Sequence, residues 1–123
     1  MIDNGVHGTS PFCTNGEGYI LSAEEKKLVL EVVVDQTVGR VSTYTRSGTI
    51  FAKETIVQSK MAQAVGADVL SIIMPSFAAA SQEEVNTHYK AVAKALDIPN
   101  ILYIILTRTG DVIHQRWWRV LLK

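Results

Sequence analysis

Apolar and polar positions alternate along this chain in blocks whose period changes regularly. Four short stretches are rich in apolar and β-prone residues: Val6 to Phe12, Arg40 to Thr45, Ala67 to Ile73 and Asn100 to Leu106. The last two are nearly continuous apolar runs, as expected of strands covered on both faces. Between the stretches lie three segments of helical period. The first should start at Ser22, where Glu25 three residues on completes a capping box. Val29, Val32 and Val33 then fall on one face, and Gly39 stops the segment. The second runs from about Ala52 to Val65, with Val57, Met61, Ala64 and Val65 as its apolar face. Gly66 supplies a left-handed exit, and Ser47 and Thr49 are the candidates for its N-cap. The third starts at Ser81, with Glu84 as a second capping box, and buries Val85, Tyr89, Val92 and Leu96. Pro99 blocks further helix. A fourth helix after Gly110 fits the pattern.

The order β-α-β-α-β-α-β predicts an α/β domain built of parallel βαβ units. Strand starts near residues 6, 40, 67 and 100 recur at about the 30-residue spacing of that unit. Length agrees, since 123 residues make one domain able to bury a real core.

Composition removes several classes of function. Twelve basic residues balance twelve acidic ones, giving a formal net charge of zero. The basic surplus typical of nucleic-acid or anionic-membrane partners is therefore missing. Cys13 is the sole cysteine, which rules out an internal disulfide and argues against a cysteine-ligated metal. No apolar run approaches the ~20 residues of a membrane span. Met-Ile-Asp-Asn-Gly does not open like a signal peptide, so a cytoplasmic protein is the expectation. His7, His88 and His114 read as structural or surface residues, and neither metal nor cofactor is called for.

Polar, glycine-containing turns follow each strand. They are Cys13 to Gly18, Arg46 to Thr49, Pro75 to Phe77, and Arg108-Thr109-Gly110 after a strand carrying Tyr103. Active sites of parallel α/β proteins collect at that end of the sheet. Thr14, Asn15 and Gly16 offer hydroxyl and backbone donors suited to a carboxylate or phosphate, although a plain turn has the same composition. Arg108 could clamp a carboxylate bidentately or be a surface arginine. Tyr103 in an apolar strand needs a partner for its hydroxyl, either in the core or in a proton relay.

Three motifs together resemble one family, that of dihydrodipicolinate synthase and N-acetylneuraminate lyase. Cys13-Thr14-Asn15-Gly16-Glu17, with Leu21, Ser22 and Glu25 behind it, is similar to the family's Gly-(Thr/Ser)-Thr-Gly-Glu. Gly66-Ala67-Asp68 and Pro75 match its Gly-Ala-Asp strand. Tyr103 through Gly110 is similar to Tyr-Asn-x-Pro-x-Arg-Thr-Gly. The resemblance covers about residues 3 to 113 and implies a partial (β/α)8 TIM barrel, its second through fifth strands. It also implies handling of pyruvate or a related 2-oxo acid through a lysine Schiff base, in aldol-type cleavage or formation of a carbon–carbon bond. By position, Thr14 and Asn15 would bind the 2-oxo acid carboxylate, Tyr103 would relay protons, and Arg108 would arrange the substrate entrance.

Departures from the family pattern carry their own expectations. The family's Schiff-base lysine lies on a later strand, beyond Arg-Thr-Gly, so a truncated, diverged member would be inactive alone. A non-catalytic gene remnant or a 2-oxo acid-binding module is the alternative. Phe77 stands where synthases have a relay tyrosine, Ile104 and Leu106 replace asparagine and proline, and Arg46 replaces a glycine. Arg46 would be costly if buried without a partner. Residues 1–113 form the barrel part in this reading, and 114–123 a basic tail holding both tryptophans and Lys123. Four strands cannot close an eight-stranded barrel, and open apolar edges pair with other chains, so self-association is expected. A flavodoxin-like domain is the remaining fold alternative.

Overall fold

The computed structural model describes residues 2–75, 80–110 and 112–114, with the Arg108 side chain set aside. Four strands, β1 (Gly8–Thr9), β2 (Ser42–Arg46), β3 (Val69–Ile73) and β4 (Asn100–Tyr103), alternate with helices α1 (Ala23–Thr37), α2 (Ala52–Val65) and α3 (Gln82–Lys94). One helical turn, α4 (Leu106–Thr109), follows β4. The Gly110 N–H closes it on the Leu106 carbonyl at φ 76°, and the stretch after Gly110, where a further helix fits the pattern, lies largely outside the described residues. The tail from residue 115 onward and Phe77 lie outside the described residues.

All strands are parallel, and their order across the sheet is β1-β2-β3-β4. Each strand therefore pairs with the next one in sequence. Right-handed crossovers that always step in the same direction place every helix on the same face of the sheet. A flavodoxin-like sheet must reverse its strand order at a switch point, and this one does not. The winding is that of a barrel.

Side-chain alternation follows from this one-sided cover. Thr43, Thr45, Leu70 and Ile72 are buried beneath the helices, where Leu70 and Ile72 join Leu30, Ala62, Val85, Tyr89 and Val92 in the core. Tyr44, Arg46, Ser71, Ile101 and Tyr103 fall on the other side and stay partly or largely open. Asp68 helps fasten β2 to β3, accepting the Thr43 N–H at 2.8 Å while its own N–H donates to the Thr43 carbonyl. β1 is short because β2 alone pairs with it, through Gly8–Ser42 and Thr9–Thr43.

Both capping boxes form as the sequence predicts. The Ser22 and Ser81 hydroxyls accept the Glu25 and Glu84 N–H groups, and each glutamate returns the bond to the cap backbone. α2 spans the predicted residues, and Gly66 exits it at φ 106°.

The buried faces of two helices differ from expectation. On α1 the buried positions are Leu30 and Thr37, flanked by half-buried Val33 and Val34, while Val32 is 55% exposed. Residues 28–34 of α1 are apolar almost throughout, so several phases of a 3.6-residue period fit equally well. On α2 the buried side chains are Thr55, Ser59 and Ala62, whereas Val57 is 56% exposed and Ala64 is exposed; Met61 and Val65 pack at the margin of the core. Small side chains let this helix lie close to β2, and their hydroxyls are satisfied locally. Ser59 Oγ lies 2.8 Å from Ser47 Oγ, and Thr55 Oγ1 accepts the Thr49 N–H. Ser47 and Thr49 are thus occupied with the helix interior, and neither caps α2. Its N-cap position is Phe51, whose side chain makes no cap bond.

His88 is buried on α3, stacked edge-on against Tyr89, and its Nε2 has no partner among the described residues. Burial holds the imidazole pKa below its usual value near 6.5. The unfolded chain then binds the extra proton first, so the full stability contribution is present above pH 6.5 and is lost as pH falls below it. Thermal unfolding should show Tm dropping between about pH 7 and about pH 5, with a flatter profile over that window in His88→Gln.

Candidate functional site

The carboxyl ends of the four strands and the turns behind them meet along one rim of the sheet. After β1 the chain makes a tight loop anchored by Phe12, which is 5% exposed and sits at φ 67°. Gly18 passes so close to Phe12 that a Cβ there would lie 2.5 Å from the Phe12 Cα. A left-handed non-glycine residue held by its buried ring is a strained conformation that the surrounding packing sustains. The anchored loop presents Thr14–Gly16 as a single 3₁₀ turn, closed by Gly16 N–H to Cys13 O at 2.9 Å. Thr14 is half-buried and Asn15 exposed, and neither side chain makes a hydrogen bond among the described residues. Their donors are unspent.

β2 ends at Arg46, which is half-buried on the open face. The next residues turn sharply across β3. Ser47 N–H bonds to the Ser71 carbonyl, and at Gly48 a Cβ would lie 2.6 Å from the Ile73 backbone nitrogen. Backbone against backbone leaves no room to yield, so only glycine fits.

β4 ends at Tyr103. Its carbonyl accepts the Met74 N–H, which keeps β3 and β4 in register to their ends. The side chain is half-buried on the open face and not in the core, and its hydroxyl has no hydrogen-bond partner among the described residues. Its ring is instead faced by Arg46, whose guanidinium carbon lies 6.0 Å from the ring centre. This is the outer limit of a cation–π contact. The partner that Arg46 required is therefore Tyr103. Ile104 turns to the core margin and does not line the rim. Arg108 belongs to the α4 turn that follows directly on β4.

The structure thus brings Tyr103 together with Arg46 and sets Arg108 just beyond them along the chain. Thr14 and Asn15 stand in the loop after β1, with two strands between β1 and β4, and make no bond to Tyr103. Two further clefts are lined by none of Thr14, Asn15, Arg46 and Tyr103. One is lined by Asp3, Thr9 and Arg40, the other by Ala52, Glu84 and His88. Among the described residues no three histidine, cysteine or acidic side chains gather to hold a metal, and no helix is long and apolar enough to cross a membrane.

The model of the dihydrodipicolinate synthetase family matches residues 1–122. The chain belongs to the dihydrodipicolinate synthetase family. Among curated relatives, the 4-hydroxy-tetrahydrodipicolinate synthase of Pelobacter propionicus is 38% identical over 110 residues, covering 89% of this chain and 38% of the relative. The synthase of Methanocaldococcus jannaschii is 38% identical over 121 residues, covering 98% and 42%. Among solved structures, the chloride-inhibited dihydrodipicolinate synthase from Acinetobacter baumannii complexed with pyruvate superposes with a TM-score of 0.95 at 30% identity, over 99% of this chain and 42% of that one. The chain thus spans about two fifths of the length of the family members it matches, and its four strands and their helices are a partial family barrel.

The tight crossing at Gly48 yields a prediction. Gly48→Ala should push the β2 exit away from β3 and lower stability by about 1–3 kcal/mol, the usual range for overpacking, as read by urea unfolding. The same change at Gly16, where a Cβ meets nothing within 4 Å, should cost much less.

Proposed function

We propose that this chain binds a 2-oxo acid such as pyruvate at the carboxyl ends of its strands, as part of a Schiff-base lyase or synthase that makes or breaks a carbon–carbon bond. The observation that carries the reading is the placement of Tyr103 at the carboxyl end of its strand on the open face, the end at which the turn after β1 presents Thr14 and Asn15, all three side chains without a hydrogen bond among the described residues. The solved relatives complexed with pyruvate support the choice of ligand.

In this reading the Thr14 hydroxyl and Asn15 amide donate to the carboxylate and orient the neighbouring carbonyl. The Tyr103 hydroxyl stands beside that carbonyl and passes a proton to and from it. Arg108, at the outer end of the rim, steers an anionic second substrate. The covalent step needs an amine that attacks the carbonyl and expels its oxygen as water. None of β1 to β4 contains a lysine. Lys26, Lys27, Lys53, Lys60, Lys90 and Lys94 all sit on helices, across the sheet from the open face.

These 123 residues by themselves are therefore expected to bind the 2-oxo acid without forming the imine, which is the behaviour of a binding module. Borohydride reduction in the presence of pyruvate, read by intact mass, should leave the mass unchanged. A gain of one reduced pyruvate, lost on replacing a single lysine, would place imine chemistry within this chain.

The open sheet bears on assembly. β1 and β4 each pair on one side only, and the face carrying Tyr44, Ile101 and Tyr103 has no helix over it. Unpaired edges beside uncovered apolar surface favour association between copies. Sedimentation velocity should show dimers or larger species at micromolar concentration; a single monomeric boundary would contradict this.

A further inference from the structure

Arg46 is the one charged side chain that β2, β3 and β4 place on the open face. Its guanidinium is half-buried and rests on the Tyr103 ring at 6.0 Å. Among the described residues no carboxylate approaches it within ion-pair distance. The ion pairs found are Lys27–Glu31 and Arg40–Asp3, both elsewhere. Its side chain makes no hydrogen bond to any described residue either. Among the described residues nothing takes up the five N–H donors of the guanidinium. Its neighbours on the open face are neutral: Tyr44 two positions earlier on the same strand, Ser71 in register on β3, and Tyr103.

A partly desolvated, unpaired cation on a neutral surface attracts an anion more strongly than one in open solvent. The planar fork of a guanidinium selects a carboxylate or phosphate that can take two parallel bonds. Tyr103 lies at the outer limit of a cation–π contact and takes none of the guanidinium's N–H donors. Arg46 ends the strand adjacent to the one that leads to Thr14 and Asn15. One planar-anion position at the turn after β1 and another at the end of β2 is the pattern that a ligand with two carboxylates would satisfy.

We propose that Arg46 is a second carboxylate subsite and that the 2-oxo acid taken by this chain is a dicarboxylate. The proposal rests on the reading of the strand ends as a 2-oxo acid site. Phosphate-bearing ligands fit the same charge, and the choice of a carboxylate rests on the 2-oxo acid reading of the turn at Thr14 and Asn15.

The test is isothermal titration of the full chain with pyruvate and with 2-oxoglutarate at low and high salt, for the wild type and for Arg46→Gln and Arg46→Lys. The wild type should bind 2-oxoglutarate about tenfold or more tightly than pyruvate, with the advantage shrinking as salt rises. Arg46→Gln should bring the two affinities together while leaving pyruvate binding within about twofold, and Arg46→Lys should restore part of the difference. Equal affinities in the wild type, or a preference that survives in Arg46→Gln, would overturn the proposal. Binding of pyruvate without any preference defeats this inference alone. Binding of neither acid defeats it together with the functional reading beneath it.

Discussion

Everything at the rim depends on the pairing of each parallel strand with its successor in the chain. Because β1, β2, β3 and β4 lie side by side in sequence order, every crossover covers the same face of the sheet. The helix side becomes a dry core around Leu30, Leu70, Ile72, Tyr89 and Val92. Among the described residues the other side receives no helix. Side chains that alternate onto it, Tyr44, Arg46 and Tyr103 among them, are free to meet a ligand. A sheet that reversed its order would have buried them beneath a helix.

Packing on the covered side sets positions on the open side. α2 can lie close to β2 because its inner face is Thr55, Ser59 and Ala62. The Ser47–Ser59 hydroxyl pair draws the β2 exit inward, and Gly48 lets it cross Ile73 at backbone contact. That crossing fixes the last residue of β2, Arg46, over Tyr103 of β4, with Ser71 in register between the two strands. On the other edge, the buried ring of Phe12 holds the turn that presents Thr14 and Asn15. The rim is thus positioned by ordinary close packing several residues away from the groups that would touch a ligand.

Much of this was legible in the sequence, for local reasons. Ser22–Glu25 and Ser81–Glu84 are self-contained caps, and Gly66 ends α2 whatever lies around it. The strand and helix blocks follow from period alone, and the fold class follows from their order. Helix phase was less legible. In α1 nearly every residue from 28 to 34 is apolar, and in α2 the buried side is made of hydroxyls and a methyl, so counting apolar residues turned both helices the wrong way. Whether Tyr103 faces the core or the rim is not legible locally, since nothing near it in sequence says which face of a sheet lacks helices. The contact between Arg46 and Tyr103 spans three strands and exists only in the folded sheet, although the need of Arg46 for a partner could be read in advance.

The claim at the centre of this account is that a 2-oxo acid sits on the uncovered face, at the carboxyl ends of the strands. Backbone and side-chain NMR shifts on titration with pyruvate test it most directly. The account predicts perturbations gathered at Thr14 to Gly16 and at Tyr103, with the helix-side residues Leu30, Val85 and Val92 unmoved. Shifts confined to the helix side, or no shifts in folded protein at saturating pyruvate, would contradict it.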